Sequence, residues 1–196
     1  FIKSIIKLSN FLNYLKNNSW MFLESFLTSI VAIFVSIYVA RYLGPKQLGI
    51  LTFAISIAVV LRPFVMLGLE SIAYRDLISF KEKTNEILST TFWTVLICGI
   101  LIYLASIFIF LLLDFSVEEL FITLTVSTVL LFEAFTVLKI FFHSRVDAKS
   151  SSISRLISVL VISLTKIILI YYSADLYYFA LIYSIDFLFT IILYNI

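Results

Sequence analysis

The sequence predicts an all-α polytopic membrane protein, and three observations carry that prediction. Hydrophobic residues make up 62% of the 196 residues and charged residues only 13%, where a soluble domain carries about 25% charge. Mean hydropathy is +1.13, so too few polar groups exist to cover a water-soluble globule. The apolar residues also fall in six runs, over about 19–41, 48–70, 88–113, 119–142, 155–174 and 176–195. Each is close to the ~20 residues that an α-helix needs to cross ~30 Å of hydrocarbon. The runs are continuously apolar rather than alternating, which excludes a barrel and leaves helices that satisfy their own backbone groups.

Residues 1–17 come first. Phe1, Ile5, Leu8, Leu12 and Leu15 share one helical face, with Lys3, Lys7, Asn10, Tyr14 and Asn17 on another. A signal peptide would show a compact apolar core and a small-residue cleavage site, so this stretch is predicted to be an interfacial amphipathic helix on the inner leaflet. Residues 18–196 are predicted to form one six-helix bundle. The connections alternate in character. The turn 41–47 is short and holds Gly44-Pro45, which forces a tight reversal; Arg41 is placed to cap the end of the first span, and Gly49 to allow close helix approach. Segment 71–87 is longer and charged, 114–118 is short and acidic, 143–154 is basic with Ser150, Ser151 and Ser152, and Ala174-Asp175 joins the last two spans.

Positive charge fixes the orientation. Lys3, Lys7, Lys16, Arg75, Lys81, Lys83, Lys139, Arg145, Lys149 and Arg155 fall on one side, and only Arg41 and Lys46 on the other. The positive-inside rule places the N-terminus and the even-numbered connections in the cytoplasm. The chain begins at Phe1 and stops at Ile196 inside an apolar run, as expected of one part of a longer protein.

Five ionisable residues lie inside the spans: Glu24, Arg62, Glu133, Lys166 and Asp186. Each costs roughly 2.5–3.5 kcal/mol at a helix centre and therefore faces a wet cavity, a partner charge or other helices. Counting at 1.5 Å per residue puts Lys166 and Asp186 roughly 16 Å deep, and Arg62 and Glu133 both roughly 21 Å below the outer edge. The tight fifth connection makes a Lys166–Asp186 pair geometrically feasible. Charges on four spans point to a polar cavity more than to static pairing, and Tyr183, one turn from Asp186, is placed to line it. Pro63 removes a donor to Val59 and predicts a bend beside Arg62, a candidate hinge of the kind found in transporters. No phosphate-binding Gly-rich loop, catalytic constellation or metal-ligand cluster is present. His143 reads as interfacial, and Cys98 as a packing residue.

A family resemblance rests on Asn18-Ser19-Trp20, on Val39-Ala40-Arg41-Tyr42-Leu43-Gly44-Pro45-Lys46-Gln47-Leu48-Gly49, on Phe53, and on Leu67-Gly68-Leu69 followed by Arg75. These residues resemble the N-terminal region of the bacterial Wzx-type O-antigen and capsule repeat-unit flippases, the polysaccharide transporters of the MATE-like superfamily. Lys46 departs from the family, which usually has an acidic residue there. The resemblance implies 12 to 14 helices in two bundles around a central cavity, of which this chain would be the first, the second bundle lying outside it. It implies a transporter rather than an enzyme, in the bacterial cytoplasmic membrane, that moves undecaprenyl-diphosphate-linked oligosaccharide by alternating access. On that reading Arg62 and Lys166 contact the anionic substrate, while Glu24, Glu133 and Asp186 balance charge or carry a coupling proton. No cofactor is expected beyond a coupling ion, H+ or Na+. Expected partners are the lipid-linked oligosaccharide, membrane lipids and the polysaccharide polymerase machinery, with no nucleic acid. Two alternatives differ in kind. A multidrug or small-molecule exporter of the same superfamily predicts an acidic cavity, whereas the buried charges here are mixed. A membrane glycosyltransferase or polymerase needs a large outer loop, and the outer connections are too short for one.

Overall fold

The computed structural model describes the backbone of residues 2–113, 115–144 and 148–193, and the side chains of 22–113, 115–141, 152–190 and 192–193. The described residues are helical, with no strand. In order the elements are α1 (Ile2–Met66), α2 (Leu69–Ser79), a 3-10 turn (Lys81–Lys83), α3 (Thr84–Leu112), α4 (Val117–Ser127), α5 (Val129–Phe132), a 3-10 turn (Glu133–Phe135), α6 (Thr136–Ser144), α7 (Ala148–Tyr171) and α8 (Leu176–Leu193).

Four described stretches are long and apolar enough to cross a membrane: Phe22–Met66, Lys81–Leu112, Val117–Phe141 and Ser152–Tyr171. Leu176–Thr190, where a sixth span is predicted, is apolar but shorter. The first stretch is two legs. Its backbone is helical except at Gly44, where φ is 68° and ψ is 175°. The partners of each leg show that they run in opposite directions. The first leg rises with α7: Glu24 sits near Arg155, and the Tyr42 hydroxyl donates to the Ala174 carbonyl at 3.0 Å. The second leg descends with α4, from the Phe53–Phe115 ring contact to Arg62 against Glu133. α8 runs with α4, through Tyr177 on Phe121 and Ser184 on Thr125. It runs against α7, through Ser158 with Thr190 and Ser154 with Leu193.

The hairpin therefore turns on one residue in a backbone region that is essentially glycine-only. No atom would lie within 4 Å of an added Cβ at Gly44, so the constraint there is conformational and not steric. Gly44→Ala is expected to cost about 1–3 kcal/mol of stability, read as a lower melting temperature of the intact protein in detergent. Gly49 does not have its predicted role. A Cβ there would also meet nothing within 4 Å, so no helix approaches it closely.

Around the hairpin, Val39, Leu43, Leu51, Ala54, Ala58 and Val65 pack with Val95 of α3, Val126 and Leu130 of α4 and α5, and Phe179 and Ala180 of α8 in one core. Large apolar side chains such as Phe22, Phe34, Phe64, Leu101, Phe108 and Leu164 are exposed, the distribution suited to lipid rather than water. At the end of the bundle where the hairpin turns, Ser116 and Glu119 form a reciprocal capping box that starts α4. Lys46 lies within electrostatic reach of Glu119, which gives its positive charge a local partner.

Three expectations about element ends are revised. The helix predicted over 1–17 is helical from Ile2 but has no break before the first leg; its amphipathic faces lie outside the described side chains, as does that of His143. Dihedrals stay helical across Pro63, and the second leg ends four residues later at the left-handed pair Leu67 (φ 49°) and Gly68 (φ 75°). Beyond that pair the predicted connection 71–87 is mostly helix. α2 buries Ala73 and Leu77 against Ile140 of α6 and exposes Arg75.

Candidate functional site

The span corresponding to α4–α6 is not one regular helix. α4 stops at Ser127, and the Thr128 amide reaches back to the Thr125 carbonyl at 3.3 Å, one residue short of the α spacing. A second tightened turn follows at Glu133–Phe135. Short 3-10 stretches inside a helix mark strain or a hinge. Here neighbours brace the irregular segment: the Ser184 hydroxyl donates to the Thr125 carbonyl at 2.9 Å, and Leu130 is fully buried. The Thr123 and Ser127 hydroxyls, both buried, have no partner among the described residues.

This segment sets Glu133. Its Oε1 lies 2.7 Å from Arg62 Nε, with the Glu133 side chain 2% exposed and that of Arg62 44% exposed. Thr136 Oγ1 donates to the other carboxylate oxygen at 3.2 Å. The two residues that depth counting places at one level are thus in contact across the second leg and the broken span. Tyr183 of α8 lies within electrostatic reach of Arg62, Glu133 and Asp186.

A second group lies between α7 and α8. Asp186 Oδ1 accepts from Thr190 Oγ1 at 3.4 Å, and Thr190 shares a 2.7 Å hydrogen bond with Ser158. Lys166 and Arg155 act on Asp186 electrostatically, but the ion pairs among the described residues are Arg62–Glu133, Arg75–Asp76 and Lys139–Glu70. The Lys166–Asp186 pairing thus stops short of ionic contact. Arg155, counted from the sequence only as an inner-side cation, lies near both Glu24 and Asp186. It is the residue that sequence reading missed, because the apolar run begins there while the helix begins at Ala148.

Both legs of α1 also carry uncovered hydroxyls. Ser25, Ser29 and Ser36 lie on the first leg, and Thr52 and Ser56 on the second, all exposed. The hydroxyls of Ser29, Ser36, Thr52 and Ser56 donate to carbonyls three or four residues earlier, which satisfies them without a partner helix and leaves lone pairs facing outward.

Apolar helical hairpins that hold an arginine–glutamate pair between them, with hydroxyls exposed along both legs of α1, fit a multi-pass membrane protein. A family model described as polysaccharide biosynthesis protein matches residues 14–196, and the chain belongs to that family, the Wzx-like polysaccharide transporters. No curated protein and no solved structure matches the chain.

Proposed function

We propose that the chain forms a six-crossing bundle of a flippase that carries undecaprenyl-diphosphate-linked oligosaccharide repeat units across the bacterial cytoplasmic membrane by alternating access, N-terminus in the cytoplasm. The observation that carries this reading is the asymmetry of the Arg62–Glu133 contact: a fully buried carboxylate anchors a guanidinium that stays 44% exposed. A guanidinium has five N–H donors in a planar fork, and Arg62 approaches Glu133 nearest through Nε. The remaining edge suits the oxygens of a diphosphate, which such forks bind in bidentate fashion.

Glu133 then acts as a positioning residue. It holds the fork in one orientation and reduces its net charge, so that an anion binds without being trapped. Lys166, half-buried on α7, supplies a point charge for the same headgroup. Asp186 and Glu24 balance Lys166 and Arg155, and exchange of a coupling H+ or Na+ is assigned to these carboxylates. The hydroxyl faces of the two legs offer sugar hydroxyls hydrogen-bond partners along the path. The mixed charge of the site favours a lipid diphosphate over the cations that a multidrug exporter carries.

The test is complementation of a flippase-null strain with the intact protein, scored by surface glycan. Lys166→Ala is expected to lower glycan display by tenfold or more at unchanged membrane abundance, because Lys166 has no ion pair among the described residues to lose. Wild-type display from that variant would remove Lys166 from the path.

A further inference from the structure

A separate polar cavity of ≈ 390 Å³ opens between α2 and α6, lined by Glu70, Ser71, Tyr74, Lys139 and Ile140. Its size lies within the roughly 300–1,000 Å³ of small-molecule sites. Its level follows from its place in the span: Lys139 is two residues from the end of the apolar stretch Val117–Phe141. The cavity therefore sits where that stretch meets the headgroups, the inner ones in the orientation proposed above.

Its chemistry is neutral overall and split in two. Lys139 Nζ and Glu70 Oε1 are 3.4 Å apart, with side chains 37% and 43% exposed. That is a long, open pair. The ammonium retains free N–H donors and the carboxylate free lone pairs. Ser71 and Tyr74 add hydroxyls, and buried Ile140 closes the floor. Ile78 of α2, one turn beyond Tyr74 on the same helix face, is exposed, an apolar surface suited to an acyl chain. A purely anionic ligand would meet Glu70, and a purely cationic one would meet Lys139. A ligand that carries both charges a few ångströms apart satisfies both.

We propose that this cavity binds the headgroup of a zwitterionic amino-phospholipid of the inner leaflet, its phosphate on Lys139 and its primary ammonium on Glu70. Glu70 and Lys139 also lie within electrostatic reach of Glu133, so the cavity borders the substrate path proposed above.

The test uses the intact protein in detergent, supplied with equal parts of phosphatidylethanolamine, phosphatidylcholine and phosphatidylglycerol, with retained lipid counted by native mass spectrometry. Wild-type protein is expected to retain phosphatidylethanolamine about fivefold over the other two, the size that a partly exposed ion pair commands. A quaternary amine cannot donate to Glu70, and phosphatidylglycerol has no amine. Glu70→Gln is expected to erase the preference, and Lys139→Gln to weaken retention of all three lipids. Equal retention by the wild-type protein overturns the proposal, as does an unchanged preference in Glu70→Gln. The wild-type comparison decides even where a variant fails to fold. Displacement of the bound phosphatidylethanolamine by undecaprenyl diphosphate would assign the cavity to the transported lipid instead.

Discussion

Arg62→Ala is expected to lower stability by about 3 kcal/mol and to abolish glycan display. Removing one partner of a buried ion pair costs about 3–5 kcal/mol, because the other charge is left uncompensated. The charge left behind here is Glu133, 2% exposed, with Thr136 as its remaining hydrogen-bond donor. The lower end of the range applies because Arg62 is half-exposed, which screens its attraction for Glu133. Loss of display by this variant alone does not separate a folding defect from a transport defect. The double variant Arg62→Met/Glu133→Leu makes that separation. Replacing a buried pair by apolar residues of similar size is often neutral or stabilising, so the melting temperature is expected to return to near the wild-type value while display stays absent. Arg62→Lys keeps the charge and loses the fork, and is expected to retain partial display. Normal display from a stable double variant would show that the guanidinium never meets the substrate.

That pair also shows how far the sequence could be read. Depth was legible, because each residue adds 1.5 Å along a helix, and counting from the outer turns puts Arg62 and Glu133 at one level. Lateral position was not. The same counting favours Lys166 with Asp186, since a tight connection makes their helices neighbours. Yet adjacency along the chain does not fix which faces meet, and Asp186 accepts from Thr190 on its own helix instead. The Gly44-Pro45 hairpin was legible from residue chemistry. The break at Thr128–Phe135 was not, because Thr128, Val129 and Leu130 carry no breaker and an apolar run reads the same through α and 3-10 turns. The nearness of Arg155 to Glu24 and Asp186 was hidden for a related reason: hydropathy locates the hydrocarbon and not the helix end, and α7 starts well before its apolar run.

The close approach lies at Gly99 and not at Gly49. A Cβ at Gly99 would stand 2.6 Å from the Leu130 carbonyl oxygen, 3.5 Å from its carbon and 3.6 Å from Val65 Cγ1. A backbone oxygen cannot swing aside as the end of a side chain does, so α3 and α5 must separate. Overpacking of this kind costs about 1–3 kcal/mol, against a gain of roughly 1 kcal/mol from placing Ala in a helix interior in place of Gly. Gly99→Ala is therefore expected to destabilise by up to about 2 kcal/mol. Its effect on transport is expected to be larger than that, because Leu130 is three residues from Glu133 within the braced irregular segment. A shift of α5 moves the carboxylate off the guanidinium that it orients. Gly49→Ala is the matched control: a helical glycine with open space around it, where the propensity gain stands alone and stability is expected to rise slightly. Equal melting temperatures and equal glycan display for the two variants would show that the contact between Gly99 and Leu130 does not hold the site.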